Sequence, residues 1–597
     1  MMKAKFPKAI FGFCWLFLLV FWAVSYADYH YADHDGSNEY PYTSWETAAD
    51  SIQKAIDAAE SGDTVYVGAG VWDDAPYELW EGIALIGMGV DSTILRKEGR
   101  VTYIRPYNNA LIQGFYFYNP TPIDTSSAIH PDYRDTVIII KYNEFKNLSV
   151  SILGVFTGQI VNNIFIDNTV AISCWIDPCS LIVKNNTFVG NTEGCIVAND
   201  GQWFVTNNLF HHNPRASVRL LTLNNHHLGI DTAYVANNLF YANYQEDNWY
   251  RDEYCAVTLG TYYENNTFVG LPGIERYVAI GIYYDDTTRI TRNCVITDFL
   301  SAFYMDGQGI TQNLYYNDLW NNIWDNIFGY GNLNLVEGNI HADPMFIDSS
   351  NYHLQMFSPL IDAGDPEIQD VDGSRSDIGC YGGPRGESYT YIDLPPRTPD
   401  SLDGYVEEDS IILNWRYNTE ADFNIYYVFR DTIQGFEPLP INLIAYPETS
   451  LYVDIDFDRE HNYYYRIAAI DNQDNVSDYS DELAIVFTYV DGFFGDNLPR
   501  VTKISNNYPN PFNIQTTISY YLANVGYQPA MVQLYIYNLK GQLVRKLVDE
   551  SKHPGKHTAI WDGTDDSGNA VSSGIYFTRL TVAGLEFAKP RKIMLIK

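Results

Sequence analysis

From residue 142 onward, short apolar runs rich in β-branched residues alternate with polar corners, and the alternation repeats. The pattern Asn-Asn-x-Phe-x-x-Asn occurs at Asn162-Asn163-Ile164-Phe165 with Asn168, and again at Asn185-Asn186-Thr187-Phe188 with Asn191. It returns at Asn207-Asn208-Leu209-Phe210 with Asn213, and at Asn237-Asn238-Leu239-Phe240 with Asn243. Asn265-Asn266-Thr267-Phe268 keeps the first half and carries Leu271 in the last place. Tyr142-Asn143-Glu144-Phe145, Asn293-Cys294-Val295 and Asn313-Leu314-Tyr315 are weaker copies. A second apolar run follows each block, at 150–153, 171–174, 195–198, 218–221, 256–259 and 278–281. Runs this short, bounded by Gly, Asn or Asp, are predicted strands. A period near 22 residues with two or three strands in each predicts the coils of a parallel β-solenoid, where each coil buries its inner face only against the next.

Stacking at about 4.8 Å per coil assigns a task to each recurring residue. Phe165, Phe188, Phe210, Phe240 and Phe268 become rungs of one core column. Asn163, Asn186, Asn208, Asn238 and Asn266 become a corner ladder. Asparagine tolerates left-handed backbone, and a stacked amide can bond its neighbours above and below. Three Asn-x-Ser/Thr acceptor sites, at Asn147, Asn185 and Asn265, coincide with this ladder and read as structural rather than glycosylated.

A solenoid needs covered ends. Thr43-x-x-Glu46 reads as a capping box opening a helix over 43–60, with Ile52, Ala55, Ile56 and Ala59 on one face. Thr64-Val65-Tyr66-Val67 then reads as the first strand. The stretch from Tyr31-Ala32-Asp33 through Ser44-Trp45 to Gly70-Val71-Trp72 resembles the opening segment of right-handed parallel β-helix proteins of the pectin-lyase-like superfamily. At the far end, Asp343-Pro344-Met345-Phe346, Ser358-Pro359-Leu360-Ile361-Asp362-Ala363-Gly364 and Asp377-Ile378-Gly379-Cys380-Tyr381-Gly382 resemble the closing repeats of secreted members. The resemblance implies a right-handed parallel β-helix over 28–390 and leaves its activity open.

Pro395-Pro396 and Pro399 mark a linker. Beyond it, Ile411-Ile412-Leu413-Asn414-Trp415, Tyr426-Tyr427-Val428-Phe429-Arg430 and Tyr463-Tyr464-Tyr465-Arg466-Ile467 alternate as strands of a β-sandwich. These residues resemble a fibronectin type III domain, bounded at 397–488, with Trp415 and Tyr465 as core. Residues 499–597 alternate similarly through Val532-Gln533-Leu534-Tyr535-Ile536-Tyr537-Asn538, Trp561-Asp562-Gly563 and Ser573-Gly574-Ile575-Tyr576-Phe577. With Asn507-Tyr508-Pro509-Asn510-Pro511-Phe512-Asn513 and the ending Lys592-Ile593-Met594-Leu595-Ile596-Lys597, they resemble the C-terminal sorting domain of bacterial type IX secretion, which is similar to the immunoglobulin-like domain of flagellar hook-capping proteins. The fold class expected is therefore all-β: a right-handed parallel β-helix followed by two β-sandwich, Ig-like domains.

Charge and the N-terminus set the destination. Lys3, Lys5 and Lys8 precede an apolar run from Ile10 to Val24, and Ser25-Tyr26-Ala27 offers small residues for cleavage, so residues 1–27 read as a secretory signal peptide. No later segment is apolar enough to span a bilayer. The chain carries a net charge of −37, which excludes a nucleic-acid partner for its main body. Residues 501–597 run the other way, with 11 Lys/Arg against 6 Asp/Glu, as a separate recognition module would. Six cysteines follow the signal, too widely spread for a disulfide scaffold and without a Cys-x-x-Cys zinc pattern. They read as buried small side chains with one or two disulfides.

Pectin-lyase-like folds often carry polysaccharide lyases, which need clustered acids for calcium and a base, or glycoside hydrolases, which need two opposed carboxyls. Polar positions just after the second strand of successive coils line one groove. Asp285, Asp286 and Asp306 are the catalytic candidates, with Arg289 as base. Trp249, Tyr283 and Tyr284 could stack on sugar rings, with His226 and Asp200 beside them. Asp285-Asp286 resembles the paired acid of polygalacturonases, but no Gly-His-Gly, Arg-Ile-Lys or Arg-x-Pro-x-x-Arg element accompanies it. His211-His212 lie on a predicted strand, whose alternation offers one imidazole of the pair to a site. No cofactor is evident; calcium is the ion that the clustered acids of a lyase would bind. The expectation is a secreted bacterial protein at the outer cell surface, binding polysaccharide or extracellular matrix and exported by type IX machinery. The alternatives are a lyase or hydrolase using the same groove, and a structural adhesin without glycan specificity.

Overall fold

The computed structural model describes residues 27–121, 126–131, 136–154, 156–174, 179–198, 201–213, 218–220, 233–243, 254–258, 261–271, 278–283, 288–306, 311–323, 327–407, 410–487, 502–505, 507, 509–523, 529–583, 585–586 and 590–596. The expected signal peptide lies outside them apart from Ala27. The chain divides into two compact units. The first holds residues up to Arg397 together with 418–424 and 469–477, and the second holds the rest.

In the first unit the chain visits three parallel sheets in rotation, of 13, 11 and 10 strands. One pass runs Thr136–Lys141, Glu144–Lys146, Val150–Leu153; the next runs Phe156–Val161, Ile164–Ile166, Val170–Cys174. Each strand pairs with its counterpart one pass later, in the registers Thr136↔Phe156, Phe145↔Phe165 and Ile152↔Ile172. The Asn-Asn corners separate the 13-stranded from the 10-stranded sheet, and the second apolar runs of the sequence are strands of the 11-stranded sheet.

The register that stacks the strands also stacks the rings. Phe145, Phe165, Phe188, Phe210, Phe240 and Phe268 are fully buried. Their centroids are 4.6–4.8 Å apart, with planes within 8° of parallel. Full burial of one such ring stabilises by about 1.5–3 kcal/mol, and the column supplies it once per pass.

The two asparagines of each corner divide the work expected of one. The first (Asn162, Asn185, Asn207, Asn237, Asn265) takes the left-handed conformation, with φ between 49° and 57°. The second is buried and forms the ladder. Asn163 Nδ2 donates to Asn186 Oδ1 at 3.0 Å, Asn186 to Asn208 at 3.0 Å, Asn208 to Asn238 at 2.9 Å and Asn238 to Asn266 at 3.0 Å. A second ladder, built by the last Asn of the motif, runs Asn168, Asn191, Asn213, Asn243. Beyond Asn266 the ladder continues through Cys294, whose sulfur accepts from the Asn266 backbone N–H at 3.4 Å. Burial pushes the Cys294 thiol up to about 12. The next rungs are Asn317 and Asn339. Asn313, expected as a corner, instead lies inside the strand Thr311–Tyr315, because the true corner follows at Tyr316-Asn317.

The N-terminal cover is shorter than its pattern. The helix spans only Ile52–Ala58, buries Ile52, Ala55 and Ile56, and starts from Ser51 without a side-chain cap. Thr43 and Glu46 form no capping box, since Ser44 and Thr47 bond each other in a turn there. A strand absent from the sequence reading, Tyr29–Ala32, pairs with Thr64–Val67 and becomes the outermost strand of the first sheet. Cys174 bonds to Cys179, while Cys195, Cys294 and Cys380 are buried and stand outside any disulfide; the side chain of Cys255 is not among those described.

The remaining strands are antiparallel. Asp403–Glu407, Ser410–Asn414 and Leu451–Asp454 form one sheet, and Leu443–Ala445, Phe423–Asp431, Tyr463–Asp471 and Leu483–Ile485 another. Trp415 and Tyr465 are buried there, and Tyr465 Oη donates to Asp454 Oδ2 at 2.7 Å. A last pair of antiparallel sheets encloses Phe512, Ile518, Leu534, Trp561, Leu580 and Ile593. Among the described residues no helix is long and apolar enough to cross a membrane.

Candidate functional site

Strand alternation builds an aromatic surface on the first passes of the first unit. In Tyr29–Ala32, His30 and Ala32 turn inward while Tyr29 and Tyr31 turn outward. His30 anchors the strand through Pro41 O at 2.7 Å and Asp63 Oδ2 at 3.4 Å. Burial pushes the Asp63 carboxyl up, but the N–H groups of Glu60 and Asp28 and the His30 ring outweigh it, leaving its pKa below the usual range. Tyr31 pairs in register with Tyr66, and their rings stack at 5.7 Å. Tyr29 lies 5.9 Å from Tyr66, and Trp45 meets Tyr31 edge-on at 4.7 Å. With Met88 these rings line an open depression of about 290 Å³. Tyr29 is 51% exposed, Trp45 39% and Met88 57%. Exposed Tyr and Trp faces bring large apolar area together with a polar rim, the chemistry of a surface that can take up a flat, partly apolar ligand.

A polar cluster occupies another part of the same unit. Glu264, 7% exposed, accepts from Arg292 Nε at 2.8 Å and from Tyr234 Oη at 2.5 Å. Arg292 also meets Asp365 at 3.4 Å, and Arg385 donates to Tyr234 Oη at 2.8 Å. Burial and the neighbouring Glu264 carboxylate hold the Tyr234 phenol protonated, well above its usual range. Each of these groups is engaged by its neighbours, and the cluster ties the closing segment to the first sheet.

The histidine pair departs from its expected geometry. His212 has φ +53°, so it leaves the strand alternation, and the two imidazoles meet with Nδ1 atoms 3.0 Å apart. His211 stacks on Tyr241 at 5.1 Å, and burial followed by the adjacent His212 lowers its pKa.

Most of the groove expected from sequence falls elsewhere. Asp200, His226, Trp249, Tyr284, Asp285 and Asp286 lie outside the described residues. Tyr283, Arg289 and Asp306 are placed by backbone alone. Tyr283 and Asp306 are register partners at the ends of neighbouring strands, whereas Arg289 belongs to a different sheet, opposite Gln312. The aromatic surface is not evident in the sequence, where Tyr31 and Trp45 fall within the stretch that resembles a fold's opening segment. Its signal was the Tyr-x-Tyr alternation at Tyr29 and Tyr31.

The molecule is thus an all-β chain that joins stacked parallel sheets to Ig- or fibronectin-like antiparallel modules. Residues 523–584 match the FlgD Ig-like domain family. No curated protein matches the chain. Similar solved structures include a Fn3-like protein from Clostridium thermocellum, 23% identical over 16% of this chain and 98% of that one, TM-score 0.14. The FN1-FN3 domains of chicken CNTN1 are 12% identical over 36% of this chain and 73% of theirs, TM-score 0.16. The central fibronectin-III array of RIM-binding protein is 13% identical over 34% and 69%, TM-score 0.13.

Proposed function

We propose that the first unit is a right-handed parallel β-helix of the pectin-lyase-like kind, and that it binds carbohydrate at the bacterial cell surface. Three parallel sheets visited in rotation support the fold, since parallel crossovers are right-handed in about 98% of cases. The observation that carries the function is the outward-facing cluster of Tyr29, Tyr31, Trp45 and Tyr66 around its depression, with Tyr29 and Trp45 exposed and Tyr31 and Tyr66 partly buried. The strongly acidic body repels polyanions, so neutral glycans are the ligands favoured. The basic C-terminal module serves export through type IX secretion, and the fibronectin-like module lies between the two in the sequence.

Retention of the purified protein on immobilised neutral and acidic polysaccharides tests this reading. Neutral glycans are expected to retard it, and Trp45→Ala to weaken binding by about 2–12-fold, the roughly 0.5–1.5 kcal/mol that one aromatic contact supplies beyond its buried area. New reducing ends or unsaturated products would favour the lyase or hydrolase reading instead. No retention on any glycan would leave the structural adhesin. For export, deleting residues 499–597 in a type IX-competent host should trap the protein inside the outer membrane.

A further inference from the structure

Three acidic side chains that no part of this reading uses converge within the first unit. One carboxylate oxygen each from Asp393, Asp422 and Asp471 lies within 4.8 Å of the other two. Asp393 follows the closing turns of the parallel sheets, Asp422 lies in the 418–424 segment, and Asp471 ends the strand Tyr463–Asp471. Asp422 is 6% exposed and Asp471 fully buried. A cluster of carboxylates alone would mean little, but two further facts point to a ligand. Asp393 Oδ1 is shut off from solvent and has no hydrogen-bond partner. The charges that act on the buried Asp422 carboxylate, those of Asp471, Glu420 and Asp393, are all acidic. The nearby Arg397 is engaged by Glu420 and Asp343.

Burying several like charges without a counter-charge is strongly unfavourable, and a cation shared by the trio would relieve it. Oxygens that share one Ca²⁺ at 2.3–2.6 Å lie no more than about 5 Å apart, which matches the spacing here. The donors are all hard carboxylates, which suit Ca²⁺ and exclude zinc-type selection by sulfur or imidazole. Asp471 is already aimed: its Oδ1 accepts the N–H groups of Gln473 and Asn475, each at 2.8 Å, and Asn475 Nδ2 bridges Asp471 Oδ2 at 2.9 Å and Asp393 Oδ2 at 3.2 Å. We propose that Asp393, Asp422 and Asp471 form a calcium site that fastens the segment after the closing turns to the 418–424 and 469–477 loops.

The test is titration of the EDTA-stripped full-length chain with CaCl₂ by calorimetry, with thermal unfolding followed in parallel. One site tighter than the general acidic surface is expected, together with a calcium-dependent rise in melting temperature. Asp422→Asn should abolish both. Asp393→Asn, at a position less buried than Asp422 or Asp471, should lower the affinity at least about tenfold, in the range that altering ligand support commonly causes or beyond it. The proposal is overturned if wild type shows no saturable site, if Asp393→Asn binds like wild type, or if Mg²⁺ at equal concentration gives the same rise. It is also overturned if Asp422→Asn stabilises the stripped protein to the level of calcium-loaded wild type while calcium leaves wild type unchanged. That outcome would mean the trio is neutralised by protons.

Discussion

Asn185 and Asn186 are adjacent and chemically identical, and the structure gives them unequal weight. Asn186 is 1% exposed. Its Nδ2 donates to Ile160 O at 2.8 Å, Lys184 O at 3.0 Å and Asn208 Oδ1 at 3.0 Å. Its Oδ1 accepts from Asn163 N at 2.9 Å and Asn163 Nδ2 at 3.0 Å. Asn186→Ala therefore strips the Asn163 N–H of its acceptor and removes one donor from the Ile160 carbonyl. Asn208 Oδ1 and Asn163 Nδ2 keep other partners. Two buried groups left short cost about 1–3 kcal/mol each, so a loss of about 4 kcal/mol is expected. Stacked repeats can open locally, so the assay is hydrogen exchange resolved by residue. Protection of the Asn163 amide should fall by about three orders of magnitude, at about 1.4 kcal/mol per tenfold. Asn185 is exposed and holds φ +55°, a conformation glycine adopts freely; Asn185→Gly should change protection less than about tenfold. Equal effects of the two substitutions, or an Asn186→Ala protein that exchanges like wild type, would refute the division of labour at the corner.

Two further outcomes follow from buried charge. Burial, followed by the nearby Asp370 and Asp362, raises the Asp377 pKa to about 6 despite hydrogen bonds from Asp362 N and Tyr391 Oη. A carboxyl whose folded pKa exceeds its unfolded value stabilises fully below the unfolded value, near 4, and loses that contribution as pH rises through about 6. Asp377→Asn should flatten urea stability across that window relative to wild type and be the more stable protein at pH 7.5. Arg292→Met leaves Glu264 buried with only Tyr234 and a more distant Arg385 at 3.8 Å. It should cost about 2–3 kcal/mol in urea unfolding, below the 3–5 of a fully buried pair because Arg292 is partly exposed, and Glu264→Gln in the same chain should recover part of the loss.

What was legible in the sequence was whatever recurs. A ring and an amide repeated once per pass must stack, because parallel backbone hydrogen bonding places each pass over the last in fixed register. Phe145 through Phe268 and Asn163 through Asn266 followed from that alone. The Asn293-Cys294 step showed as a weak copy, yet its depth was hidden, since a thiol holding an amide's place in a ladder has no periodic signature. The Asn317 corner was missed for a nearer Asn313, although Tyr316-Asn317-Asp318-Leu319 repeats the form of Tyr142-Asn143-Glu144-Phe145.

The sequence by itself determined that this chain stacks short strands in a regular period, ends in alternating antiparallel modules, and is acidic until its last hundred residues. Those properties are written locally and read by counting. Only the tertiary structure decided which of two adjacent asparagines carries the ladder and that Tyr29 and Tyr31 face outward beside Trp45. It alone brought Asp393, Asp422 and Asp471 into one cluster. Contacts of that kind join residues far apart in sequence, and their distances are set by how loops of unequal length close over the sheets rather than by any repeat in the chain.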